Sequence, residues 1–113
     1  LEGNRRVMFV VRRVFKVALG QSVRGVAAEV FKLGKLYEEA GQRSPSRVYT
    51  SGTTTPGPAN TVYMEWIEEA LLSPYRSDNP QIPGQDRIYA SFGPAVEDTW
   101  IEFYELYVPD DGQ

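Results

Sequence analysis

Residues Arg6–Val17 read RVMFVVRRVFKV, and this stretch decides the fold. It contains neither Gly nor Pro and is rich in Val and Phe, residues that fit a pleated, half-buried surface. It therefore reads as a strand. Alternation places Val7, Phe9, Val11, Arg13, Phe15 and Val17 on one face and Met8, Val10, Arg12, Val14 and Lys16 on the other. Both faces are largely apolar, so both are expected to be covered. The face with Phe9, Val11 and Phe15 is the more apolar. It is assigned to the helix side, with Arg13 at an inner pocket and Arg12 pointing the opposite way.

The segments that follow supply the cover. Ser22 is a good N-cap, because its hydroxyl can accept a free backbone N–H of the first turn. Val23, Val26, Ala27, Val30, Leu33 and Tyr37 then recur at spacings of three and four, which is one face of a helix; Phe31 and Leu36 are expected to widen it. Gly34 suggests close packing against the sheet. Gly41 suits the left-handed position that ends a helix. Ser46–Ser51 reads as a second strand, Gly52–Ala59 as a loop and Thr61–Glu68 as a third strand. Glu69–Tyr75 is expected to make a helical turn and Asn79–Gly84 to be irregular. Gln85–Phe92 suits a second helix, ended by Gly93-Pro94, and Thr99–Val108 reads as the last strand.

The order is β-α-β-β-α-β across one domain, 1–113, with residues 1–5 and 109–113 as frayed ends. This predicts an α+β fold: a ferredoxin-like sandwich with a four-stranded antiparallel sheet and both helices on one face. The other face then needs a second cover. A second copy of the same sheet is the simplest one, which makes the expected assembly a homodimer closed into an α+β barrel.

Composition narrows the chemistry. The chain has 113 residues, no Cys and no His. Thiolate nucleophiles, disulfides, imidazole-based triads and the usual zinc sites are thereby excluded. No cofactor is expected. Haem in particular would have only Tyr or Met as an axial protein ligand. No apolar run approaches the ~20 residues of a membrane-spanning helix. The apolar stretch at Val7–Val17 is interrupted by Arg12, Arg13 and Lys16 and is not followed by a small-residue cleavage site. No membrane association and a cytoplasmic location are the expectations.

Charge is segregated along the chain. Residues 1–47 carry ten bases against four acids, and residues 48–113 two bases against eleven acids. A basic arm for nucleic acid is one reading. The bases, however, alternate with apolar residues inside a strand. The preferred reading has no nucleic-acid partner: the third and fourth strands flank the first and bring Glu65, Glu68, Glu102 and Glu105 near Arg12, Arg13 and Lys16.

Three stretches resemble the NIPSNAP-like branch of the dimeric α+β barrel superfamily. They are Arg13–Gly20 (RVFKVALG), Asn60–Trp66 (NTVYMEW) and Asp98–Leu106 (DTWIEFYEL). The family often has Pro before the loop glycine, where this chain has Leu19. The resemblance implies a homodimer whose two sheets form a barrel. It implies little about reaction, since the superfamily holds cofactor-independent oxygenases, isomerases, haem-degrading enzymes and proteins without known activity.

The residues that carry candidate chemistry are Arg13, Tyr49, Tyr63, Glu65, Trp66, Glu102 and Tyr104, read as a ligand-binding set. Arg13 could hold an anion by a bidentate contact, or pair with Glu65 or Glu102 across strands. Glu65 and Glu102 could be a general acid–base pair, or could neutralise the bases of the first strand. The aromatics could line a pocket for a planar organic ligand, or fill the core and dimer interface. Thr53–Pro58 lacks the Lys and following helix of a phosphate-binding loop and reads as a hairpin connection. The expected function is a dimeric protein that binds a small organic molecule between sheet and helices. The alternative is a cofactor-independent monooxygenase or isomerase acting on an aromatic or polyketide-like substrate. No residue is assigned a catalytic role and no metal site is found.

Overall fold

The computed structural model describes residues 7–71 and 82–109. Its elements run β1 (Phe9–Val17), α1 (Val23–Glu39), β2 (Arg47–Ser51), β3 (Thr61–Glu68), α2 (Gln85–Phe92) and β4 (Val96–Glu105), with a short 3₁₀ turn at Gly93–Ala95 feeding the last strand. The strands form one antiparallel sheet in the order β2-β3-β1-β4. This is the expected ferredoxin-like α+β topology. The stretch read first, β1, lies at its centre.

The helix-side face of β1 is the expected one. Val11, Phe15 and Val17 join Val62, Met64 and Trp66 of β3 in a core with Val26, Val30, Leu33 and Tyr37 of α1. Phe15 meets Phe92 of α2 edge to face, with centroids 5.5 Å apart. Ser22 caps α1 by accepting the Gly25 N–H at 2.9 Å. Gly34 packs tightly against Ser46, just before β2, and Met64 of β3. A Cβ there would lie 2.4 Å from Ser46 Oγ and 3.3 Å from Met64 Sδ. A hydrogen atom in place of a side chain is therefore what lets the helix settle.

Register explains the charge segregation in part. Arg12 stands opposite Glu65 on one side and Glu102 on the other. Glu68 and Glu105 instead stand opposite Phe9, at the far end of β1 from Lys16. Arg13 faces Met64 and Ile101, so the expected cross-strand pairing with Glu65 or Glu102 falls to Arg12. Adjacent strand residues point to opposite faces, and a carboxylate on one face does not reach a guanidinium on the other.

Four boundaries differ from expectation. β1 begins at Phe9 rather than at Arg6: Val7 and Met8 precede the paired strand, and Arg6 lies outside the described residues. β4 begins at Val96 rather than 99, because the Ala95 carbonyl already accepts the Ala18 N–H at 2.8 Å and Val96 pairs with Val17 directly after the turn. β4 ends at Glu105 rather than 108, although Leu106 still donates to the Met8 carbonyl at 2.8 Å. β2 begins at Arg47, one residue later than expected. Phe31 does not widen the core stripe and is 50% exposed. Residues 69–71 are not helical and 82–84 form a turn; the rest of the two segments expected there, and the chain ends at 1–5 and 110–113, lie outside the described residues. Among the described residues no helix is long and apolar enough to cross a membrane.

Candidate functional site

Five of the seven candidate residues share the sheet face opposite the helices: Tyr49, Tyr63, Glu65, Glu102 and Tyr104. They gather around Arg12. Its guanidinium donates to Glu102 at 2.7 and 2.9 Å, lies beside the Tyr49 hydroxyl and is 4.6 Å from the centroid of the Tyr63 ring. Glu102 also accepts from Trp100 Nε1 and from the Tyr104 hydroxyl, each at 2.7 Å. Tyr49 donates to Glu65, which is also paired with Arg47, and stacks on Tyr63 at 5.0 Å. The Tyr63 hydroxyl lies 3.0 Å from Ser51 Oγ. The result is one continuous network, Arg47–Glu65–Tyr49–Arg12–Glu102, that crosses all four strands.

The electrostatics of this network favour the charged forms. Partial burial pushes both carboxyls up, but the hydrogen bonds outweigh it. Those from Tyr49 and Arg47 hold Glu65 below the usual carboxylate range, and those from Trp100, Tyr104 and Arg12 do the same for Glu102. Arg12 is driven the other way: burial lowers it, and its interactions with Tyr49 and Glu102 raise it overall. A general acid near neutral pH needs a carboxyl raised toward that pH. Neither glutamate is raised in that way.

Arg13 and Trp66 lie on the other side of the sheet. Trp66 is buried in the core and donates its Nε1–H to Glu68 at 2.7 Å. Arg13 is half-buried, close enough for its charge to act on Tyr37 and Arg43. Arg43 sits between two rings, 3.7 Å from the Tyr37 centroid and 4.0 Å from that of Trp66. Burial lowers Arg43, and Tyr37, Tyr89 and Glu68 oppose that shift. Burial also raises the Tyr37 hydroxyl. Sequence reading missed Arg43. It lies in the connection after α1, where neither periodicity nor spacing marks it.

The space between sheet and helices opens elsewhere. A cleft of about 700 Å3 lies between the first half of α1 and β2, closed at one end by the loop after β2. Val23, Ala27, Ala28 and Phe31 form one wall, Val48 and Thr50 the other, with Thr53, Thr54 and Asn60 at the rim. Gly52 shapes that rim. Its φ is +80°, and an added Cβ would lie 2.3 Å from both the Ala59 Cα and the Pro58 carbonyl oxygen. Only glycine fits there without moving backbone. A smaller hollow of about 360 Å3 lies by Phe15, Tyr89, Phe92 and Thr99. Arg13 lines neither. Of the candidate residues, Tyr49 alone borders the larger cleft, and its side chain joins the network on the opposite sheet face. Phe31 could have been found from sequence, since it sits off the Val23–Val26–Val30–Leu33–Tyr37 stripe. Among the described residues no cluster of three or more acidic side chains is placed to hold a metal ion.

No family model matches the chain, and none of the curated proteins does. Solved structures do. An uncharacterized NIPSNAP-like domain protein from Burkholderia xenovorans superposes with a TM-score of 0.55 at 18% identity, over 96% of this chain and 90% of that one. A NIPSNAP family protein from Agrobacterium tumefaciens superposes with a TM-score of 0.51 at 15% identity, over 97% of this chain and 92% of that one. The chain has the NIPSNAP-like fold.

Proposed function

We propose that this chain works as a homodimer that binds a small organic molecule in the space between sheet and helices. The cleft between α1 and β2 carries the binding part of this reading. Its volume of about 700 Å3 falls within the ~300–1,000 Å3 usual for small-molecule sites, and it combines an apolar floor with hydroxyl groups at the rim. The homodimer is supported by the opposite sheet face. Among the described residues no helix lies above Val10, Trp100 and Tyr104 there, and Trp100 and Tyr104 are 41% and 48% exposed. A second copy, packed sheet to sheet, would remove that apolar surface from water.

Screening the purified protein against a metabolite library by thermal shift tests the binding reading. A ligand that binds only the folded state must raise the midpoint. At least one organic compound is expected to do so, and to lose its effect in Ala28→Trp, which fills the cleft from an exposed helix position. A library that leaves the midpoint unmoved, or hits indifferent to Ala28→Trp, would refute it.

A further inference from the structure

We infer that the occupant of this cleft is a small amphipathic anion: an apolar chain or ring carrying one carboxylate or phosphate group. The inference rests on the binding reading above and adds the ligand's chemistry to it.

Three features point to that chemistry. The first is charge. The chain has fifteen acids and twelve bases, yet among the described residues that line the cleft Arg24 alone is charged. No carboxylate faces the space. A guanidinium presents a planar fork of donors that matches a carboxylate or phosphate, and here nothing acidic on the lining competes for it.

The second is the run of Arg24, Ala28 and Phe31 along one face of α1. These residues are three or four apart, so they stand in a row, rotated away from the buried stripe. All three are exposed, and Phe31 presents half its surface to water beside the side chains of Val48 and Ala27. A ligand with an apolar body would cover Phe31 while its head group meets Arg24, about two turns away.

The third is the direction of α1. Ser22 and Val23, at its N-terminus, line the same mouth as Arg24. The positive end of a seventeen-residue helix therefore opens where the cation already stands. Both fields favour a negative head group at that end, and both disfavour a cationic one.

A panel of ten-carbon probes separates head group from chain: decanoate, decyl phosphate, decanol and decyltrimethylammonium, each tested by thermal shift and calorimetric titration. The two anions are expected to bind, the alcohol more weakly and the cation least. Arg24→Gln should weaken decanoate about tenfold, the low end for a hydrogen bond to a charged group at an exposed site, and leave decanol unchanged. Amide chemical-shift changes should centre on Ala28, Phe31, Thr53 and Thr54. If decanol or the cation binds as well as decanoate, or if Arg24→Gln changes nothing, the anion inference fails while the binding reading survives. Shifts centred away from these residues overturn the inference as well. So does a panel without binding, even where the metabolite library supplies a different ligand.

Discussion

Replacing Gly52 by Ala should damage the protein more than an ordinary glycine-to-alanine change. Two costs add. Gly52 has φ +80°, a conformation that costs an L-residue about 1–2 kcal/mol. The new Cβ would also sit 2.3 Å from the Ala59 Cα and the Pro58 oxygen and 2.6 Å from the Asn60 nitrogen, all backbone atoms that cannot rotate aside. Relieving such overpacking costs about 1–3 kcal/mol. Loss of chain entropy in the unfolded state returns about 0.4–1 kcal/mol. The net destabilisation is about 1–4.5 kcal/mol, or about 4–18 °C in melting temperature for a domain of this size. Gly41→Ala is the matched control. Its φ is +75°, but nothing lies within 4 Å of the added Cβ, so only the conformational cost applies. Urea and thermal melts followed by tryptophan fluorescence, at one protein concentration throughout, compare the two. Equal destabilisation by the two variants would refute the claim that the loop backbone closes on Gly52. Because the same loop carries Thr53 and Thr54, Gly52→Ala should also weaken any ligand of the cleft.

Ser22→Ala removes the acceptor for the Gly25 N–H and should cost about 1 kcal/mol, read as a shift in the urea midpoint. Acid should weaken the sheet network. Glu65 and Glu102 are held below the ordinary value of 4.5, so their contribution is fully present above that value and is lost as pH falls through their lowered folded values. Melts between pH 3 and pH 7 should show the native protein losing midpoint below about 4.5, and the Glu102→Gln variant losing less. Val10→Asp should yield monomer or insoluble protein on size-exclusion chromatography. Val10 sits on the face opposite the helices, between Ile67 and Tyr104, and an unpaired charge there would be trapped at the proposed interface.

Local rules made most of the fold legible. The alternation in β1 told its two faces apart, because Phe9, Val11 and Phe15 on one side outweigh Met8, Val10 and Val14 on the other. Ser22 and Gly41 bracketed α1 through cap chemistry that needs no tertiary information. Gly34 announced close packing, and Ser46 and Met64 are what it packs against. Register was not legible. A shift of one residue exchanges faces, so Arg12 and Arg13 could not be told apart as partners of Glu65 and Glu102 until the strands were paired. The start of β4 depended on a tertiary contact, the Ala18–Ala95 hydrogen bond, which leaves no local trace. The candidate residues scattered for the same reason. Aromatic and charged types identify side chains able to bind, whereas the cleft arises where a helix fails to cover an edge strand. Arg24 and Phe31 of α1 meet the threonines of the loop there, from two separate segments.

Sedimentation equilibrium at micromolar concentration tests the proposed two-fold most directly. Burying the face that carries Val10, Trp100 and Tyr104 against a second copy should form an interface of about 1,200–2,000 Å2, enough to persist at that concentration. The expected result is a single species of twice the 12.7 kDa chain mass. A single species of 12.7 kDa would contradict it and leave the sheet face without the cover assigned to it.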